Sequence, residues 1–404
     1  MPTQKNKTNP KIAIVHDFLT YFGGAEQVLL SLHSLYPKAP IYTLLYDKEK
    51  MEKYFPNTKI RTSFLNKFPK FIRKRKKYLL PFMPTAAETF DLRDFDIVIS
   101  NSSSFAKGII TKPKTTHVCY CHAPTRFLWD WYYSYLNENK IKGLKKILLV
   151  PLLHYMRMWD KSASERVDYF ITNSKNTANK IKKFYNRESE IIYPPASWFH
   201  SPNKHDCQTG MAVKRIKQNG STAQSLPHTA MLGNYGASGK NYFLIVSRLS
   251  PYKKIDIAIE AFNKLGLPLI IIGDGQERYK LEKMAEKNIK FLGFQPEEEL
   301  DEYYRNCYAL IFPGEDDFGI TIIEAMSFGK PVLALRKGGS IETIIENVTG
   351  EFFDDPIPEI LADGIRRMKN NYSNYNYEKI IENAEKFSER KFKENIKNTI
   401  EKLK

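Results

Sequence analysis

Long hydrophobic runs are missing from this 404-residue chain: nothing approaches the roughly 18 consecutive apolar residues that a membrane-spanning helix needs. The opening stretch Met1-Pro2-Thr3-Gln4-Lys5-Asn6-Lys7 is polar and lacks an apolar core, so neither secretion nor cleavage is expected. Cysteine is scarce. The four residues Cys119, Cys121, Cys207 and Cys307 include no C-x-x-C pair and suggest reduced thiols in a cytoplasm. Cys119 and Cys121 lie two apart on one strand face, where core packing is expected rather than a metal site. The G-x-G-x-x-G fingerprint of dinucleotide binding is absent. No Asp-x-Asp pair stands at a strand end to hold a divalent cation, because Asp354-Asp355 comes late and before a proline.

Acidic residues are also in deficit, 45 against 62 Lys and Arg, for a formal charge of +17. Nucleic acid, an acidic membrane surface and an anionic substrate are the candidate partners of such a chain. No RNP, zinc-finger or homeodomain pattern accompanies the charge, so nucleic acid is not expected. Much of the excess is spread over lysine-rich helices, which read as solvated faces. The segment from Phe64 to Phe82 is different: it interleaves Phe68, Phe71, Tyr78 and Leu79 with Lys67, Lys70, Arg73, Lys74, Arg75, Lys76 and Lys77. That is the composition of an interfacial anchor on anionic lipid. A second candidate, Lys145-Lys146-Ile147-Leu148-Leu149-Val150-Pro151-Leu152-Leu153, reads equally as a packed helix.

Hydrophobic residues make up 42% of the chain, enough for the packed cores of two α/β domains. Short apolar runs alternate with helical patterns from Lys11 to Tyr193 and again from Tyr242 to about Phe353. Between them, residues 201–240 have little periodicity and many small polar residues, and are expected to form a flexible linker or insertion.

The most informative stretch is Phe312-Pro313-Gly314-Glu315-Asp316-Asp317-Phe318-Gly319-Ile320-Thr321-Ile322-Ile323-Glu324-Ala325-Met326. The run Cys307 to Phe312 predicts a buried parallel strand whose carboxyl end opens into an acidic loop, where open α/β sheets bind ligands. With a helix beginning near Gly319, the free N–H groups of Gly319, Ile320 and Thr321 favour an anion such as phosphate. Asp316 then stands at the reacting end of the ligand, and Glu324, about a turn further on, has the acceptors to bind ribose hydroxyls. A second strand run, Tyr242 to Ser247, leads into Arg248-Leu249-Ser250-Pro251-Tyr252-Lys253-Lys254 and the helical spacing Ile255, Ile259, Phe262, Leu265. Arg248 and Lys253 combine a guanidinium that binds two phosphate oxygens with a point charge, a suitable pair for a diphosphate. At the amino-terminal end, the strand Ile12-Ala13-Ile14-Val15-His16 and the turn Gly23-Gly24 precede a helix. Finally, the strand from Thr116 stops at His122, ahead of Pro124.

The carboxylate–x7–Glu spacing of Asp316 and Glu324, with Phe318-Gly319 between and Glu324-Ala325-Met326 at its end, resembles the E-x7-E motif of GT-B glycosyltransferases of family 4. Asp316 stands where the family has Glu, which leaves open whether Glu315 or Asp316 meets the donor sugar. Arg248 and Lys253 are similar to the family's R-x4-K diphosphate clamp, with Lys254 where Gly is commoner. By the same resemblance, Gly23 and Gly24 form the glycine-rich loop facing the donor phosphate and the acceptor, and His122 approaches the donor sugar. The sequence around His122 resembles O-antigen-type mannosyltransferases. Phe170 to Ser174 and Ile191 to Pro195 are also similar, in an architectural role.

The resemblance implies two Rossmann-like domains facing a central cleft, residues 1–200 on the acceptor side and 241–385 on the donor side. It further implies a helix over 386–404 that returns to the first domain. The implied activity is retaining transfer of a hexose, with mannose favoured, from a nucleoside-diphosphate sugar to a lipid-linked or polysaccharide acceptor in cell-envelope glycan synthesis. No cofactor and no metal is implied. His122, Arg248, Lys253 and Asp316 are the expected catalytic residues; Gly23, Gly24, Glu315, Phe318, Gly319, Ile320, Thr321 and Glu324 are the expected donor contacts. The expected location is the cytoplasm, peripherally on the inner face of the membrane. A sugar-nucleotide epimerase or a glycoside phosphorylase of the same architecture, and a catalytically silent sugar-nucleotide-binding protein, are the alternatives.

Overall fold

The computed structural model describes residues 10–139, 141–196 and 242–403, and in it the chain divides into two compact units, Met1–Pro195 with Arg390–Lys404, and Ala196–Glu389. The linker expected at 201–240, and Cys207 with it, lies outside the described residues.

The first unit is built on β1 (Ile12–Leu19), β2 (Ile41–Tyr46), β3 (Ile60–Thr62), β4 (Ile97–Ser102), β5 (Thr116–Cys121), β6 (Tyr169–Thr172) and β7 (Glu190–Ile191). They pair in parallel in the order β3-β2-β1-β4-β5-β6-β7. Their near-continuous apolar character follows from that arrangement, since helices cover both faces of a parallel sheet. Ile14, Ile99 and Val118 lie side by side across β1, β4 and β5 and are fully or almost fully buried. Helix α1 (Gly24–Leu35) buries Val28, Leu29 and Leu32; α2 (Leu144–Glu165) buries Leu153 and Met156 beyond Pro151. Helix α3 (Lys175–Tyr185) starts at Ser174, whose hydroxyl accepts from the Thr177 amide at 3.1 Å, a normal N-cap. Cys119 and Cys121 are buried thiols on one face of β5, packed with Phe170, Ile181 and Tyr185.

The second unit holds β8 (Phe243–Val246), β9 (Leu269–Ile272), β10 (Ile289–Gly293), β11 (Leu310–Phe312), β12 (Val332–Leu335) and β13 (Gly350–Phe353), parallel in the order β10-β9-β8-β11-β12-β13. Helix α4 (Ile255–Leu265) buries Ile255, Ile259 and Phe262 at the predicted helical spacing and ends on Gly266 at φ 63°, a left-handed cap. Helices α5 (Ile320–Ser327), α6 (Pro358–Asn370) and α7 (Tyr377–Glu385) also belong to this unit.

The helix expected over 386–404 is present, and a separate helix precedes it. Helix α7 stays with the second unit, where Asn383 donates to the Thr343 carbonyl at 2.7 Å. Helix α8 (Glu389–Lys402) returns to the first, burying Phe392, Ile396 and Ile400 in the core of Ile14, Leu29 and Tyr120. Each such side chain contributes about 1.5–3 kcal/mol of transfer free energy, enough to hold the returning helix.

In both sheets the strand order reverses next to the first strand of the unit, at β1/β4 and at β8/β11. Such switch points leave a crevice beyond the strand carboxyl ends.

Candidate functional site

At the second unit's switch point three loops converge. Arg248 follows β8 and is exposed; Lys253 ends a short 3₁₀ turn, Pro251–Lys253. Lys254 adopts φ 53°, a left-handed conformation that costs an L-residue about 1–2 kcal/mol. The acidic loop follows β11. Its Gly314 sits so close to the Lys253 turn that a Cβ would lie 2.6 Å from the Tyr252 carbonyl oxygen and 2.7 Å from the Lys253 Cα. Lys253 Nζ then reaches Asp316 Oδ2 at 2.6 Å in a partly buried ion pair.

The third loop lies outside the motifs read from the sequence. Gly338-Gly339, after β12, lies against the acidic loop: the Gly339 amide donates to the Asp316 carbonyl at 2.9 Å, and Gly338 has φ 68°. A Cβ on Gly338 would stand 2.2 Å from the Asp316 carbonyl oxygen, and one on Gly339 2.3 Å from the Phe318 Cα. The signal was present, since a strand run followed by Gly-Gly and a short helix is the pattern used at Gly23-Gly24. A further loop, Gly273-Asp274-Gly275 after β9, holds the Arg248 segment, with the Leu249 amide donating to the Asp274 carbonyl at 3.0 Å.

Helix α5 begins where expected. Gly319 precedes it at φ 86°, and the amides of Gly319, Ile320 and Thr321 precede the first intrahelical bond, from Ile322 to the Gly319 carbonyl. Phe318 is buried and meets Phe387 edge-on at 5.6 Å. Glu315 and Asp316 are both partly exposed. Glu324 is buried, and its Oε2 accepts from the Tyr304 hydroxyl at 2.8 Å, so this carboxylate enters any ribose contact with one oxygen already engaged. Burial and the Glu324 charge push the Tyr304 phenol well above its ordinary range, keeping it a donor. Tyr304, on the helix before β11, carries no sequence signal that separates it from a core aromatic.

The first unit's switch point is built differently. His16 in β1 is 2% exposed, and its Nε2 meets Glu26 Oε1 at 3.2 Å; Glu26 stands in the first turn of α1, behind Gly23-Gly24. Asn101 in β4 has its Nδ2 3.0 Å from His16 Nδ1 and donates to the Ala25 carbonyl at 2.8 Å. His122, just past β5 and partly exposed, has Nε2 2.6 Å from Asn101 Oδ1. Burial opposes a charge on His16, yet the hydrogen bond and charge of Glu26, with Asp17 and the Asn101 carbonyl, raise its pKa above the ordinary value. Burial and the His16 charge push His122 down to about 3, against the pull of Asp17. His122 is therefore neutral at physiological pH.

Asp17 is buried too, and accepts from the amides of Ser103, Ser104, Phe105 and Ala106 at 2.6–2.9 Å and from the Ser103 hydroxyl at 3.0 Å. Burial works against its charge, but His16, those amides and Lys107 hold its pKa below the ordinary value. Gly23 adopts extended backbone at φ −163°, and a Cβ there would make only ordinary contacts at 3.4 Å, so neither its φ nor crowding demands glycine. Among the described residues no group of three or more His, Cys, Asp and Glu is arranged to hold a metal ion.

Two family models match the chain: Glycosyltransferase Family 4 over residues 22–196 and Glycosyl transferases group 1 over residues 234–387. An uncharacterized glycosyltransferase of Methanocaldococcus jannaschii is 32% identical over 34% of this chain, and the match spans 40% of that protein. The alpha-1,3/1,6-mannosyltransferase ALG2 of Dictyostelium discoideum is 22% identical over 99% of this chain and its own full length. Among solved structures, HepE of Anabaena in complex with UDP-glucose superposes with a TM-score of 0.66 at 19% identity, covering 97% of this chain and 99% of that one.

Proposed function

Taking as premise that the chain is a glycosyltransferase of the family 4, group 1 type with the GT-B fold, we propose that it moves a mannosyl residue with retention from a nucleoside-diphosphate sugar to a lipid-linked or polysaccharide acceptor. The observation that carries the donor side is the convergence of Arg248, Lys253, the acidic loop and Gly338-Gly339 beyond β8, β11 and β12. Mannose rests on the full-length similarity to ALG2. In this reading the acceptor hydroxyl attacks the anomeric carbon from the face that the diphosphate leaves, and a β-phosphate oxygen takes its proton. Negative charge grows on the leaving diphosphate, and Arg248, Lys253 and the amides of Gly319, Ile320 and Thr321 oppose it in the role a divalent cation fills elsewhere. Asp316 holds Lys253 and lies at the sugar end; Glu324, steadied by Tyr304, takes the ribose. Metal independence belongs to the proposal, and undiminished turnover in excess chelator tests it.

A thermal-shift screen of GDP-, UDP-, dTDP- and ADP-linked sugars tests the donor, because a ligand that binds only the folded chain raises Tm by mass action. GDP-mannose is expected to give the largest shift. A UDP-sugar as the best ligand would replace mannose with another hexose and leave the transferase reading standing.

The lipid-linked acceptor is supported by one surface of the first unit. No helix among the described residues is long and apolar enough to cross a membrane. Phe71, Tyr78 and Phe82 are 50–70% exposed beside Lys74, Arg75 and Lys77. At the start of α2, Leu144, Ile147 and Leu148 are about 70% exposed beside Lys145 and Lys146, while the buried parts of both segments share one cluster around Leu65, Leu79, Leu153 and Met156. Three basic residues of the first segment are committed elsewhere: Lys70 pairs with Glu49 at 2.6 Å, Arg73 donates to Asn66 Oδ1 at 2.9 Å, and Lys76 donates to Thr20 Oγ1 at 2.9 Å and lies over the Phe18 ring. Neutralising Lys74, Arg75 and Lys77 is therefore expected to remove about 3 kcal/mol of binding to anionic vesicles, near 1 kcal/mol each. Co-sedimentation equal on anionic and neutral vesicles would favour a soluble acceptor.

A further inference from the structure

We infer that Asn101 is a positioning residue: it fixes His122 in the tautomer that carries its proton on Nε2, so that Nδ1 is a permanent hydroxyl acceptor. The Asn101 amide cannot be turned round, because Nδ2 faces the Ala25 carbonyl, which only accepts. Oδ1 must then be the atom facing His122, and an amide oxygen only accepts, so the Nε2 2.6 Å away must be the donor. A neutral imidazole with a proton on Nε2 has a bare Nδ1.

Behind Asn101 the chain of contacts continues inward through His16 to Glu26, and both are nearly excluded from solvent. The groups around the His122 ring are consistent with a fixed neutral state. From β1 come His16 and Asp17, the two charges that act on it, and from α1 comes Glu26, one step removed behind His16. From β4 comes the uncharged Asn101, and Tyr120 of β5 packs edge-on at 5.2 Å. On the other side, Asn173 and Thr177 donate to the His122 carbonyl and fix the backbone that carries the ring.

The consequence rests on the proposed transferase reading: a neutral Nδ1 acceptor orients a sugar hydroxyl, whereas an imidazolium at this place has no acceptor to offer. The Glu26 of Gly23-Gly24-Ala25-Glu26 thereby acquires a role in the turn, as the anchor of the relay, and Ala25 supplies the carbonyl that orients Asn101.

Long-range ¹H–¹⁵N spectroscopy of the full chain labelled at histidine tests the inference without any turnover, with His122 assigned by the signal lost in His122→Phe. The expected result is a protonated Nε2 and a bare Nδ1 that hold unchanged between about pH 5 and 8. A proton on Nδ1, or titration near the free imidazole value, overturns it. Asn101→Asp sets a carboxylate against Nε2, so the His122 signals are expected to titrate at higher pH, and the rate of sugar transfer to fall about tenfold or more as pH drops, with the nucleoside-diphosphate Kd unchanged. Unchanged His122 signals and an unchanged pH profile in Asn101→Asp overturn the positioning role. Absence of transfer in the wild type would instead refute the transferase reading, with the tautomer result standing by itself.

Discussion

The two units share one strand order around their switch points and fill the crevices in opposite ways. In the first, the charges are the protein's own and are sealed in: His16, Asp17 and Glu26 are at most 5% exposed, and Lys107 and Asp160 form a fully buried pair at 2.6 Å close by. In the second, Arg248 is exposed, Lys253 and Asp316 are partly so, and Gly314, Gly338 and Gly339 stand where no Cβ fits. Asp17 takes four amides of the 103–106 loop, the kind of hydrogen bond that the first turn of α5 leaves open. A single topology thus yields one crevice whose charges are buried against one another and one whose charged side chains stay partly exposed among glycines. The first suits the orientation of neutral hydroxyls, and the second suits an anion.

The largest expected effect is at Asp160. It takes hydrogen bonds from Thr125, Trp129 and Tyr185 as well as the charge of Lys107, so Asp160→Ala leaves a buried ammonium unpaired and is expected to cost about 3–5 kcal/mol in chemical denaturation. Lys107→Met with Asp160→Leu is expected to recover only the part due to the unpaired ammonium, because Thr125, Trp129 and Tyr185 still lose their acceptor. In the second unit the matching experiment is catalytic. Lys253→Ala is expected to lower kcat about 10²–10³-fold while donor Kd changes by a much smaller factor, since charge on the diphosphate grows toward the transition state. Equal losses in affinity and kcat/KM with kcat unchanged would mean that Lys253 holds only the ground state.

Smaller effects sharpen the contrast. The raised pKa of His16 means that its pairing with Glu26 stabilises the fold fully below the unfolded value of 6.5 and is lost as pH rises through the folded value. Tm is therefore expected to decline on the alkaline side, and less so in His16→Gln. Asp17 has the opposite sign: its contribution is present above the unfolded value of 3.8 and is lost as pH falls through the depressed folded one. The smallest effect is at Lys254, where Lys254→Gly relieves a left-handed L-residue and is expected to stabilise by about 1 kcal/mol, read as a higher denaturant midpoint.

The fold was legible because parallel strands buried on both faces write themselves as apolar runs, and Phe312-Pro313-Gly314 and Gly319 mark where strand ends and helix starts. The acidic loop and the Arg248–Lys253 turn were legible for the same reason, each being punctuated by Pro or Gly next to charge. Asn101 and Tyr304 were not, because a polar residue inside an apolar strand, or a tyrosine on a helix, reveals its partner only when another strand comes alongside. The division of the basic segment was hidden as well: nothing local separates Arg73 and Lys76, held by Asn66 and Thr20, from their exposed neighbours.

Release of the nucleoside diphosphate from GDP-mannose tests most directly whether the second unit's crevice drives transfer from a nucleoside-diphosphate sugar. The measurement compares wild type with Lys253→Ala, with and without a lipid-linked glycan acceptor in anionic vesicles. The expected result is release that requires the acceptor in the wild type and is almost abolished in the variant, although the variant still binds the donor. Release that ignores the acceptor, or that survives intact in Lys253→Ala, would contradict it.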